Sequence, residues 1–142
     1  MKKTIETERD MIDFGKAFAK TLCPPKTIEL IGDVGAGKTT LVKGLAKGFG
    51  IDEEITSPSF TINKKYFGNG VTLSHYDFYR LNDAGIMRDE LTDFDDKTVV
   101  VIEWAEAVAD VLPKDRTKIV IALNPDGTRA VSVQNRGATS RA

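Results

Sequence analysis

The stretch Gly32-Asp33-Val34-Gly35-Ala36-Gly37-Lys38-Thr39-Thr40 constrains this chain more than any other part of it. Gly32 to Thr39 fit the pattern G-x-x-x-x-G-K-[ST]. At ordinary glycine usage, roughly one random chain in two hundred of this length would contain such a match. The pattern gains weight from its surroundings, because a phosphate-binding loop needs a strand before it and a helix after it. Thr27-Ile28-Glu29-Leu30-Ile31 reads as a buried strand running straight into the loop. Leu41, Leu45 and Phe49 recur at helical spacing beyond it, and Gly50 ends that helix. A strand, a tight loop and a helix in this order place the chain among α/β folds.

The residue types match the needs of a nucleotide triphosphate. Its phosphates crowd several negative charges into a small volume. Gly32, Gly35 and Gly37 let the backbone curl around them with N–H groups pointing inward. The helix starting near Lys38 adds the positive end of its dipole. Lys38 is expected to reach the β and γ phosphates, and the Thr39 hydroxyl to coordinate Mg²⁺. Gly35, Ala36, Gly37, Lys38, Thr39 and Thr40 are therefore the expected nucleotide contacts, with ATP and Mg²⁺ as cofactors. The bland alternative is a glycine-rich turn carrying an exposed lysine.

Such a site usually takes an acidic residue from the end of a neighbouring strand. Glu103 follows the apolar run Val99-Val100-Val101-Ile102 directly, where a buried strand should end and α/β sheets build their sites. Its alternative is an ordinary charged residue at a strand end. Asp77 is the second carboxylate, within His75-Tyr76-Asp77-Phe78-Tyr79-Arg80-Leu81. Period-two alternation puts His75, Asp77 and Tyr79 on one face and Tyr76 and Phe78 on the other. A buried aspartate among aromatics needs a partner; Mg²⁺, Arg80 and a backbone N–H all qualify. His75, the only histidine, reads as a hydrogen-bonded structural residue rather than a general base. Trp104 reads as half-buried, with shielding of the site or contact to a partner as alternatives. Asp83, Asp89, Glu90, Asp93, Asp95 and Asp96 read as a solvated loop and helix face, with a docking surface for a basic partner as the alternative.

The remaining segments fit one domain spanning residues 1–142, with a loose tail from Gly137 to Ala142. Thr7 caps a helix whose Met11, Phe14, Phe18 and Leu22 face the core, and Pro24-Pro25 stops it. Phe60 to Phe67 and Val71 to Phe78 flank a Gly68-Asn69-Gly70 hairpin turn. Ala105 to Leu112 is a short helix closed by Pro113. Lys118 to Leu123 and Ala130 to Val133 flank a second hairpin at Asn124-Pro125-Asp126-Gly127. The expected fold is a three-layer P-loop NTPase-like α/β domain, with a mixed, mainly parallel central sheet and antiparallel hairpins. Its 142 residues can bury a core without disulfides. Lys plus Arg number 20 against 21 Asp plus Glu, so the net charge of −1 argues against broad non-specific nucleic-acid binding. The single cysteine, Cys23, reads as a packing residue. No apolar run is long enough to span a membrane. Met1-Lys2-Lys3-Thr4-Ile5-Glu6 lacks the apolar stretch of a signal peptide, so a cytoplasmic location with no membrane partner is expected.

Four segments together resemble the TsaE family (also called YjeE), the bacterial ATPases of tRNA threonylcarbamoyladenosine biosynthesis. They are Gly32 to Thr40, Ser57-Pro58-Ser59-Phe60, His75 to Leu81 and Ile102-Glu103-Trp104, and the likeness runs from the first helix to the last hairpin. The resemblance implies ATP hydrolysis in association with the TsaD–TsaB pair, which transfers a threonylcarbamoyl group to the adenosine beside the anticodon. The family member is not the transferase; it lets the complex cycle, and tRNA is met indirectly through the partners. By the same likeness Lys38, Thr39 and Thr40 bind phosphate and Mg²⁺, and Asp77 and Glu103 belong to the metal and hydrolysis site. Ser57 to Phe60 form a switch-like segment near the γ-phosphate. Thr7 and Arg129 match family positions near the nucleotide base. The sequence departs from the family at Ser59, often Thr, and at Ala105, often Pro. The stretch Asp83 to Lys97 is short and unlike the usual pattern, which bears on partner contacts rather than on the ATP site.

Three other functions share parts of this pattern. A small-molecule or nucleoside kinase needs an acceptor pocket and an arginine-rich lid, and no basic cluster suits a lid. A regulatory GTPase needs N-K-x-D, and Asn63-Lys64-Lys65-Tyr66 lacks the aspartate. An interaction module that binds nucleotide with little turnover fits a chain without an identifiable arginine finger.

Overall fold

The structure is a computed structural model and describes residues 2–33, 35–56, 63–78, 91 and 95–135. Seven strands form one sheet: β1 (Lys2–Ile5), β2 (Lys26–Ile31), β3 (Asn63–Gly68), β4 (Val71–Asp77), β5 (Thr98–Glu103), β6 (Thr117–Leu123) and β7 (Arg129–Asn135). Their spatial order is β1-β7-β6-β2-β5-β4-β3. The central strands β6, β2, β5 and β4 run parallel. The pairs β1–β7, β6–β7 and β3–β4 are antiparallel and finish the two sides. The mixed sheet with a parallel centre therefore stands as expected. The loop switch of Ser57 to Phe60, the start of the expected strand at Phe60, Tyr79 to Glu90, Asp93 and the tail lie outside the described residues.

The two faces are covered unequally. Helices α1 (Glu8–Ala19) and α2 (Lys38–Gly48) pack together over one face. Their core joins Met11, Phe14, Leu41 and Leu45 to Ile28, Leu30, Val101, Ile119 and Val131 of the strands. On the other face a 3-10 helix, Ala105–Val111, covers Tyr76, Phe78, Val100 and Ile102. The short helix expected at this place is present, as a 3-10 helix. Every residue of β5 is buried, which explains why Val99 to Ile102 alternate with nothing polar.

Local chemistry sets the element ends. The Thr7 hydroxyl accepts from the Asp10 N–H at 3.0 Å, and the Asp10 carboxylate accepts from the Thr7 N–H at 3.2 Å. This reciprocal cap fixes the start of α1. Asn69 and Gly70, with φ of 49° and 75°, close the β3–β4 hairpin in the primed turn that matches strand twist. One expectation fails, and one strand was not foreseen. Cys23 is exposed rather than packed, because α1 has already ended and Cys23 sits in the connection to β2. Strand β1 was not foreseen; only four residues long, it has a single buried side chain, Ile5, and so too little alternation to be read.

The helices α1 and α2 meet through glycine. A Cβ placed on Gly15 would lie 2.6 Å from the Leu41 carbonyl oxygen and 3.0 Å from Gly44 Cα. Such a contact cannot be relieved by turning a side chain, because both neighbours are backbone. Gly15→Ala is therefore expected to destabilise the fold by about 1–3 kcal/mol through overpacking, read as a lower urea midpoint at unchanged slope. A midpoint equal to that of the parent chain would show that the helices can part at no cost.

Candidate functional site

The glycine-rich loop from Gly32 joins β2 to α2, in the centre of the sheet. Gly35 and Gly37 hold φ of 86° and 108°, a left-handed backbone that other residues resist. Gly32 is needed for a different reason. A Cβ there would sit 2.9 Å from the Ile121 carbonyl oxygen of the neighbouring strand. The Ala36 N–H donates to the Asp33 carbonyl at 3.0 Å and tightens the turn. Val34 lies outside the described residues.

Lys38 opens α2 and is buried. Its Nζ donates to the Gly32 carbonyl at 2.6 Å and lies 3.4 Å from Glu103 Oε1. The Trp104 ring centroid is 4.7 Å from the same nitrogen, within range of a cation–π contact. Trp104 reaches this place through a left-handed turn, φ 57° and ψ 57°, directly after Glu103. That conformation is costly for a bulky residue and reverses the chain at the strand end. The half-buried reading of Trp104 is borne out.

Both expected carboxylates converge. Asp77 and Glu103 end the parallel strands β4 and β5 and are paired residues in their register. They are 8% and 4% exposed. Glu103 Oε2 lies 2.6 Å from His75 Nε2, and His75 is fully buried. Glu103 therefore bridges Lys38 and His75, one oxygen to each. Burial pushes the Glu103 carboxyl up, but the His75 hydrogen bond and the attraction of His75 and Lys38 outweigh it. The result lies below the ordinary glutamate value. Among the described residues no three His, Cys, Asp or Glu side chains gather around a possible ion. Mg²⁺ does not require that: it keeps several waters and takes one or two carboxylates plus phosphate oxygens. Asp77, Glu103 and the Thr39 hydroxyl are a hard-oxygen donor set of this kind.

Thr7 and Arg129, far apart in sequence, come together on the other side of the loop. With Glu8, Met11, Gly37 and Thr40 they line a cavity of about 80 Å³. Arg129 Nε donates to the Ala36 carbonyl at 2.8 Å, and its terminal nitrogen to the Gly35 carbonyl at 3.2 Å. Sequence reasoning did not foresee this brace on the loop backbone, since nothing local to Arg129 reports what β7 faces. The Thr128 N–H and hydroxyl both donate to the Asp126 carboxylate, at 2.9 Å and 2.6 Å, and so order the hairpin before Arg129. A second cavity, about 120 Å³, opens beside Lys38 and Trp104 between Asp33 and Glu106.

The Glu103 environment predicts a pH effect. A carboxyl held below its ordinary value stabilises the fold above that value and loses this contribution as pH falls through the lower folded one. Stability of the parent chain should therefore fall below the ordinary glutamate value of 4.5. The acid limb of Glu103→Gln should be shallower. Urea midpoints across that range decide the matter, and parallel limbs would remove Glu103 from the acid response.

The described residues contain no helix long and apolar enough to cross a membrane. Comparison with known proteins points one way. The family model for "Threonylcarbamoyl adenosine biosynthesis protein TsaE" matches residues 5–131. A tRNA threonylcarbamoyladenosine biosynthesis protein TsaE from Bacillus subtilis is 41% identical over 118 residues, covering 82% of this chain and 72% of the relative. A protein of the same name from Treponema pallidum is 38% identical over 142 residues, covering 94% and 99%. The crystal structure of Bacillus subtilis YdiB superposes with a TM-score of 0.83 at 32% identity, covering 99% of this chain and 88% of that one. By sequence over nearly its whole length, and by a P-loop NTPase-like fold shared with YdiB, this chain belongs to the TsaE family.

Proposed function

We propose that this chain binds Mg-ATP at the Gly32 to Thr40 loop and hydrolyses it in support of tRNA threonylcarbamoyladenosine biosynthesis, with TsaD and TsaB as partners. The observation that carries the reading is the convergence of Lys38, Glu103 and Asp77 at the carboxyl ends of parallel strands, beside a loop with the required backbone. Family membership supplies the pathway. The partner pair and a tRNA met only through it follow from the family likeness.

In this reading each residue has a task. The loop N–H groups and the start of α2 bind the phosphate chain. Lys38 exchanges its Gly32 and Glu103 contacts for β and γ phosphate oxygens, and Trp104 walls the site beside it. Thr39, Asp77 and Glu103 hold Mg²⁺, which neutralises charge on the phosphate oxygens when bound. Thr7, Thr40 and Arg129 border the cavity at the nucleoside end. The chain offers no residue of its own recognisable as an arginine finger among those described, so TsaD–TsaB complete or reorder the site and accelerate turnover. On this reading the chain acts as one domain in the cytoplasm, where tRNA is modified.

Steady-state ATP hydrolysis tests the proposal, measured for the chain alone and with purified TsaD–TsaB. The pair should stimulate turnover. Lys38→Ala should reduce it on the order of a hundred- to a thousandfold, the usual loss for one preorganised charge-stabilising donor. If ATP binds but the pair leaves the rate unchanged, the partnership falls and the nucleotide site remains. Phosphate transfer from ATP to a soluble nucleoside would replace the reading with a kinase.

A further inference from the structure

Among the described residues, His75 is a buried ionisable side chain beside the site to which the proposed function assigns no task. It is fully buried on β4, between Leu73 and Asp77 on the helix-covered face. Its Nδ1 is buried and meets no hydrogen-bond partner among the described residues. Among the described residues its Nε2 meets Glu103 Oε2, at 2.6 Å. A residue retained only to fill space would be better served by an apolar side chain, which leaves no polar atom unpaired. The ring is thus committed to Glu103.

We infer that His75 is a positioning residue that fixes the plane of the Glu103 carboxylate through an Nε2–H donor and keeps Oε2 away from Lys38. The inference rests on the hydrolytic role of Glu103 proposed above. Glu103 is an acceptor on both oxygens, with Lys38 at 3.4 Å from Oε1 and His75 at 2.6 Å from Oε2. Two donors on opposite oxygens define the carboxylate plane. Without His75, Oε2 is buried and unpaired, and the carboxylate gains by turning both oxygens toward the lysine ammonium. That turn ties Lys38 more firmly to Glu103 and misaims the carboxylate for hydrolysis. The hydrogen bond also dictates the ring's tautomer: Nε2 carries the proton. A buried donor behind a site carboxylate typically changes activity on the order of ten- to a hundredfold when lost.

Two substitutions in the full chain separate positioning from packing. His75→Leu removes the donor at similar volume, and His75→Gln retains an N–H donor near the place of Nε2. Single-turnover and steady-state ATP hydrolysis, titration of a fluorescent ATP analogue without Mg²⁺, and the melting temperature are recorded for each. His75→Leu should lower kcat on the order of ten- to a hundredfold, with a smaller loss of analogue affinity because Glu103 holds Lys38 back from the phosphates. His75→Gln should recover most of the rate. Equal losses in both variants, or a loss confined to KM or following the melting temperature, would overturn the proposal. Because the chain has one histidine, its imidazole nitrogens give a single NMR set that needs no assignment. The spectrum should show a protonated Nε2 whose proton resonance moves in Glu103→Gln; a bare Nε2 refutes the hydrogen bond outright. A parent chain that hydrolyses no ATP would sink the functional reading, while the imidazole spectrum would still decide whether His75 holds Glu103.

Discussion

The buried ammonium of Lys38 sets the terms for everything around it. A lysine side chain 8% exposed is costly unless its charge is answered. Here the answer comes from three directions: a carbonyl of the loop, a carboxylate at the end of β5 and the face of Trp104. Removing one partner from a buried pair commonly costs about 3–5 kcal/mol, because the other charge is left uncompensated. The ion pair is therefore weak evidence for stability and strong evidence for a purpose. Under the proposed function the desolvation has a use, because the cation and anion stand where the nucleotide phosphates and Mg²⁺ are to be met.

That placement follows from strand direction. Parallel strands bring their carboxyl ends to one edge of the sheet, so β2 delivers the loop where β4 and β5 deliver Asp77 and Glu103. The chain leaves β2 toward one face, through α2, and leaves β5 toward the other, through the 3-10 helix. A crevice opens where such connections diverge, and it is the usual ligand site of α/β sheets. The antiparallel strands contribute in another way. The β6–β7 hairpin brings Arg129 back to the loop, and the close α1–α2 crossing brings the Thr7 cap to the same cavity.

Much of this was legible in the sequence. The loop, its flanking strand and helix, the Asn-Gly hairpin and the Thr7 cap are local signals, each read from residues a few positions apart. Glu103 was legible because a continuous apolar run announces a central strand and so its end. Asp77 was found as a candidate, but its partnership with Glu103 depends on register between strands more than twenty residues apart, which no local pattern encodes. The same holds for His75. Alternation placed it on the face of Asp77, yet its bond to Glu103 is a cross-strand fact, and a structural reading was the natural one. Cys23 was misjudged because composition describes averages, whereas exposure there depends on where α1 stops. Strand β1 escaped notice because an edge strand buries little and therefore alternates little.

Arg129 shows how a cation can serve a glycine-rich loop through its backbone. Its guanidinium is committed to the carbonyls of Gly35 and Ala36. Each carbonyl belongs to the same peptide plane as the N–H of the next residue. A charged donor on the oxygen draws electron density from that N–H and makes it a stronger donor, the cooperative polarisation expected of hydrogen bonds in series. The Ala36 N–H already donates to Asp33, so the gain there goes into tightening the turn. The Ala36 carbonyl shares its plane with the Gly37 N–H, at the entrance to α2, and under the proposed function the gain there serves phosphate binding. The positive charge of Arg129 thus reaches the loop through two peptide groups. In the proposed function Lys38 keeps the compact charge for the terminal phosphates, so that a single helix start is served by one cation in front and another behind.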